Sequence, residues 1–207
     1  MRNRLQAMRW VSNTPSNLHA CSFILDASGF ALIVLFVTGC ATAPVPERFQ
    51  FLGYEGNVNE HSILISAPPS RVFSILTDFE QFSQLATQPN VRLTQITPGP
   101  LSVGTVICAE TGYKIKIHWY SQVVEVRKDE MLILCFMNGI FSGGYEVWEI
   151  QPTKTGTKVS HTIIYNISSF PYRILWVLKN VENKHNMLVE AALQKLKDRC
   201  ERTLSPE

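Results

Sequence analysis

The chain has 207 residues, 45% of them hydrophobic and 17% charged, with a formal net charge of +2. That length allows one domain plus an extension, and the apolar share suffices for a sizeable core. The excess charge belongs to the start: residues 1–39 carry Arg2, Arg4 and Arg9 against Asp26, which leaves 16 basic and 16 acidic residues beyond them. A neutral remainder without basic clusters has no electrostatic footprint for nucleic acid, so no such partner is expected.

The amino-terminal segment reads as an export signal. Twenty uncharged residues separate Asp26 from Glu47, with the densest apolar run at Phe30 to Val37. The three arginines supply a basic n-region and that run an apolar h-region. The run ends in Val37-Thr38-Gly39-Cys40, which resembles the lipobox of bacterial lipoprotein signal peptides, where cleavage precedes a cysteine that then carries the lipid. The resemblance implies a signal peptide over 1–39, lipidation at Cys40 and residence in the bacterial cell envelope. Ala41 in place of Asp favours the periplasmic face of the outer membrane if the cell is Gram-negative. Residues 40–57 then form a tether and lead-in, semi-extended where Ala41 to Pro46 mixes small residues with proline. The n-region is long for a signal peptide, which would fit a true start further in, near Met8; two alternatives stand beside this, an uncleaved single-pass anchor, since about 20 residues span a bilayer, and a soluble protein whose start is misassigned.

The domain itself is expected over 58–204. A lead-in ending in Gly53-Tyr54-Glu55-Gly56-Asn57 precedes a strand at Val58 to Ser66, which Ala67-Pro68-Pro69 terminates. Pro69 opens a short helix with Val72, Phe73 and Leu76 on one face, and Asp78 caps a second one that runs to Leu85. Six strands of period two follow, at Val91 to Thr97, Thr105 to Glu110, Tyr113 to Val126, Met131 to Asn138, Tyr145 to Gln151 and Lys158 to Ile167. Short turns such as Thr111-Gly112, Gly143-Gly144 and Thr155-Gly156 separate them, so neighbours pair as hairpins in an antiparallel meander. Phe170 to Thr203 reads as one long helix, its apolar stripe running through Ile174, Leu178, Val181, Leu188, Val189, Ala192, Leu196 and Cys200. The fold class is thus α+β: a seven-stranded antiparallel sheet wrapped around a long C-terminal helix, with two short helices after the first strand.

The stretch Ile65-Ser66-Ala67-Pro68-Pro69-Ser70-Arg71-Val72-Phe73-Ser74-Ile75-Leu76-Thr77-Asp78-Phe79-Glu80 resembles the opening of the SRPBCC, or START and Bet v 1-like, superfamily, in particular its polyketide cyclase/dehydrase and lipid-transport branch. The element order is also that of the superfamily. The resemblance implies a helix-grip fold with a cavity between the curved sheet and the terminal helix.

Alternation assigns residues to that cavity. In the last strand Val159, His161, Ile163, Tyr165 and Ile167 share a face, and in the long strand Tyr113, Ile115, Ile117, Trp119 and Val123 do so, with the phase lost near Glu125. His185 lies in the middle of the helix stripe. His161, His185, Tyr113 and Tyr165 are therefore the candidate polar handles for an apolar ligand, with Trp119, Ile117 and Ile163 as its walls. The alternative for either histidine is a core residue bonded to a neighbour. Phe141, in a glycine-flanked loop, and Phe170, Tyr172 and Trp176, at the helix start, are candidate mouth or membrane contacts, Tyr172 and Trp176 lying off the buried stripe. Glu146 and Glu149 fall on opposite faces and are no paired-carboxylate site. There is no G-x-S-x-G elbow and no dinucleotide fingerprint. The cysteines at 21, 40, 108, 135 and 200 follow no metal-ligand spacing, so no cofactor or metal is implied.

Three functions fit these features. The first is membrane-tethered binding or transport of a lipid or other hydrophobic small molecule. The second is a polyketide cyclase or dehydratase-like enzyme using a cavity histidine as general acid/base. The third is a protein-interaction module whose cavity is filled by side chains.

Overall fold

The computed structural model describes residues 45–86, 91–112, 117–167, 173, 176 and 180–202, all within the compact unit Cys40–Glu207. The expected signal segment, with Cys40 and Ala41, lies outside them.

Seven strands are formed: β1 (Asn57–Ile65), β2 (Val91–Gln95), β3 (Val106–Thr111), β4 (Ile117–Arg127), β5 (Met131–Phe136), β6 (Tyr145–Thr153) and β7 (Gly156–Tyr165). They make one antiparallel sheet in the order β1-β7-β6-β5-β4-β3-β2. From β2 to β7 this is the meander that short turns enforce. β1 then closes the far edge on β7, from Asn57 opposite Tyr165 to Ile65 opposite Thr157. A register shift between Val123 and Glu125 marks a bulge in β4. One extra residue flips the parity of all that follow, so alternation could not hold its phase there, and the bend helps the sheet to curl.

Two short helices, α1 (Pro69–Thr77) and α2 (Phe79–Ser83), follow β1. Pro69 occupies the first turn of α1, where its missing N–H costs nothing. The Asp78 carboxylate accepts hydrogen bonds from the backbone N–H groups of Glu80 and Gln81 and so starts α2.

The terminal helix departs from expectation. Arg173 and Trp176 are helical, but Asn180 adopts φ +49°, a left-handed conformation that a right-handed helix cannot contain and that asparagine tolerates better than most residues. The chain restarts as α3 (Val181–Arg202), whose Val189, Ala192, Leu193, Leu196 and Cys200 are buried. They close on the concave face of the sheet, against Ile65, Val123, Leu132, Trp148, Ile150 and Val159 and the inner residues of α1.

The lead-in is also more ordered than its sequence indicates. Glu47–Leu52 form a 3-10 helix on the convex face, where Phe49 is fully buried against Ile133, Val147 and Ile164. Arg48 pins it by pairing with Glu60 and, at 3.2 Å, with Glu149. β7 is consequently covered on both sides, and Ser160, Thr162 and Ile164 are as inaccessible as its concave residues. No disulfide joins Cys108, Cys135 and Cys200. Among the described residues no helix is long and apolar enough to cross a membrane.

Candidate functional site

Registration of the strands sets two rows of side chains on the concave face. One contains His61, His161, Trp148 and Leu132 from β1, β7, β6 and β5. The next contains Asn59, Ile163, Glu146 and Leu134. Glu146 and His161 are thus diagonal neighbours, within reach of each other on a pleated surface. His161 Nε2 lies 3.1 Å from Glu146 Oε1, and the Trp148 indole N–H donates to the same oxygen at 2.8 Å. The Trp148 and His161 rings meet edge to face with centroids 4.5 Å apart. From α3, His185 brings its ring to 6.4 Å from that of His161.

These groups settle one another's protonation. Burial alone pushes the Glu146 carboxyl up, but the bonds from His161 and Trp148 outweigh it and hold the group below the usual carboxylate range. An ionised carboxylate can only accept, so Nε2 of His161 carries the hydrogen, and in the neutral ring Nδ1 is then a bare lone pair. That Nδ1 is buried and has no hydrogen-bond partner. His185 is driven down to about 4, chiefly by burial and next by the proximity of His161, with Glu146 opposing; it is neutral at physiological pH. Burial also pushes the Tyr165 hydroxyl up to about 12. The Glu146 side chain keeps 19% of its exposure and that of His161 keeps 5%.

An aromatic cap lies over this cluster. Phe141 stacks edge-on at 4.9 Å to Tyr165, 5.3 Å to Trp176 and 6.5 Å to His185. Ile163, Phe136 and Ile167 form its bed, with Trp119 and Ile140 packed alongside. Gly144 allows this arrangement: a Cβ there would collide with the carbonyl oxygens of Ile164 and Phe141, so the loop carrying Phe141 could not lie down on β7.

The expected site residues separate accordingly. His161, His185, Tyr165 and Ile163 come together, with Trp119 beside them, whereas Ile117 is 59% exposed at the start of β4. Tyr113, Phe170 and Tyr172 lie outside the described residues. Trp176, expected off the buried stripe, is 9% exposed and belongs to the cap, because the break at Asn180 releases that segment from the phase of α3. Glu149 does face away from Glu146, toward Arg48. The importance of Glu146 was missed nonetheless: it shares parity with Trp148 and Ile150, and an acidic residue in phase with two apolar ones was the available signal.

A second polar group lies at the β1 edge. His61 Nε2 is 3.0 Å from Asn59 Oδ1 and 3.3 Å from Asn186 Oδ1, and Nδ1 is 3.5 Å from Glu190 Oε1. Beside it runs a groove of about 330 Å3 lined by His61, Ser62, Ile63, Glu190, Leu193 and Gln194. A larger groove of about 550 Å3 lies between the α1–α2 corner and the β2–β3 connection; of its two carboxylates, Asp78 and Glu80, the first is already engaged in capping α2. Neither is the enclosed cavity expected between sheet and helix. The Trp148 and His185 rings stand against that of His161, with Phe141 on the far side of His185. Among the described residues no group of three or more His, Cys, Asp or Glu side chains could hold a metal ion.

Residues 59–201 match the family described as polyketide cyclase / dehydrase and lipid transport. The chain belongs to that family. Its fold recurs in solved structures of low sequence identity. TTHA0849 from Thermus thermophilus is 21% identical with a TM-score of 0.58, over 72% of this chain and 99% of that one. CV1439 from Chromobacterium violaceum is 15% identical with a TM-score of 0.55, over 73% and 99%. The di-domain ARO/CYC StfQ of the steffimycin biosynthetic pathway is 16% identical with a TM-score of 0.54, over 71% of this chain and 51% of StfQ. No curated protein matches the sequence. Membership in the polyketide cyclase / dehydrase and lipid transport family makes this a hydrophobic-ligand-binding fold.

Proposed function

We propose that the protein binds or carries a lipid or other hydrophobic small molecule between the concave face and α3, with His161 as its polar handle, while a lipid on Cys40 tethers the domain to the envelope membrane. The observation that supports this most is the buried Nδ1 of His161, a hydrogen-bonding atom without a partner on an otherwise apolar bed. Such an orphan is costly in an empty protein and is relieved when a ligand supplies the missing bond. Entry requires the Phe141–Trp176 cap to swing outward. The experiment is native mass spectrometry of the protein as extracted from bacterial membranes, followed by denaturing extraction. A retained hydrophobic compound, together with an acyl mass on Cys40, supports both halves. An empty protein that takes up nothing from a panel of lipids rejects the binding half, and an unmodified Cys40 rejects the tether.

A cyclase-like reading draws on the same geometry, since an imidazole held through one nitrogen by a carboxylate presents the other as a base. It requires that the extracted compound be converted by the wild type and bound but not converted by His161→Gln.

A further inference from the structure

The polar cluster has a sign, and the sign selects among hydrophobic ligands. We propose that the His161 site accepts an uncharged ligand that donates a hydrogen bond from a hydroxyl or N–H at its buried end, and that it rejects the carboxylate analogue of the same molecule. This rests on the binding reading above and specifies the ligand class for it.

Three observations carry the inference. His161 Nε2 is turned to Glu146 at 3.1 Å, which places a hydrogen on that nitrogen, so that in the neutral ring Nδ1 is an acceptor. Nδ1 is buried and unpartnered, so a ligand donor gains a bond there, whereas a second acceptor placed against it leaves both lone pairs unsatisfied. Glu146 Oε1 already takes two hydrogen bonds, from Trp148 and His161, and it lies within hydrogen-bond distance of the same imidazole that the ligand head would meet. A ligand carboxylate would therefore stand next to an ionised side chain. His185, the other titratable group against the site, is held neutral by its burial and offers no compensating charge.

The test uses the full chain and three matched probes at about pH 8: 1-naphthol, a neutral donor; 1-methoxynaphthalene, of similar shape without a donor; and 1-naphthoate, an anion. Quenching of tryptophan fluorescence reports binding, Trp148 and Trp176 both facing the site. The expected order is naphthol about tenfold tighter than methoxynaphthalene, with naphthoate weaker than either. In His161→Phe methoxynaphthalene still binds and the naphthol advantage disappears. Glu146→Gln keeps an oxygen for Trp148 and for the His161 N–H; there the naphthol advantage persists and the penalty on naphthoate shrinks, which maintains a test if His161→Phe does not fold. Naphthol and methoxynaphthalene within about threefold of each other, an advantage that survives His161→Phe, or naphthoate as tight as naphthol overturns the inference and leaves the binding reading intact. Failure of all three probes to bind overturns the binding reading and this inference with it.

Discussion

Replacing His185 by leucine should change the pH dependence of stability by an amount the site dictates. His185 titrates at about 4 in the fold, because burial and the neighbouring His161 disfavour its charged form, against about 6.5 in an open chain. Between those values the unfolded chain binds the proton and the folded one does not. Stability is therefore full above about 6.5 and is lost as pH falls toward 4. At pH 5 the linkage amounts to about 2 kcal/mol, and well below 4 it approaches about 3 kcal/mol. Leucine removes the titration and suits the apolar contact with Phe141. Urea titrations followed by tryptophan fluorescence at about pH 7.5 and pH 5 measure the difference, and the drop on acidification should be about 2 kcal/mol smaller in the variant. Groups remote from His185 titrate equally in both proteins and cancel. A drop that is the same in wild type and variant to within about 0.5 kcal/mol would refute the placement of a neutral, buried imidazole at this point.

Glu146→Ala leaves two buried donors, Trp148 Nε1 and His161 Nε2, and should destabilise by about 2 to 4 kcal/mol, whereas Glu146→Gln, which keeps an acceptor, should cost about 1 kcal/mol. Because the Glu146 carboxyl is held low in the fold, its contribution is complete above the unfolded carboxylate value of about 4.3 and fades as pH falls through the folded one; Glu146→Gln should flatten the curve there. Phe49→Ala empties the centre of the convex cluster and should cost about 3 kcal/mol in equilibrium unfolding, with proteolysis of the chain around Glu47 to Leu52 as a second readout; a loss below about 1 kcal/mol would mean that the lead-in is not part of the cooperative fold.

Much of the fold was legible because it depends on local pattern. Alternation located seven strands, and proline and glycine marked where they end. Three features depended on tertiary context. The bulge at Val123 to Glu125 is a pairing defect, visible only once a partner strand is in place. The lead-in helix has no amphipathic period long enough to register; Phe49 is ordered by the sheet it covers. The break at Asn180 sits in a sequence that would continue as a helix on periodicity alone, and a single left-handed residue overrides it. At the site, His161 and His185 could be assigned to one interior from parity and stripe. Glu146 could not be linked to His161, because the diagonal contact is a consequence of the β6–β7 register, which one sequence does not specify. His61 was passed over for the same reason: it lies directly across from His161 only because the first strand pairs with the last.

The central claim is that His161 presents an unprotonated Nδ1 to a ligand bound beneath the aromatic cap. Side-chain nitrogen-15 spectra of the histidine-labelled full chain, recorded with and without 1-naphthol, test it most directly. The account expects the His161 ring to show an N–H at Nε2 and a lone pair at Nδ1, with the Nδ1 resonance moving as 1-naphthol is added while the rim residue His61 stays in place. A hydrogen on Nδ1 in the ligand-free protein, or a His161 ring that does not respond to the probe, would contradict it.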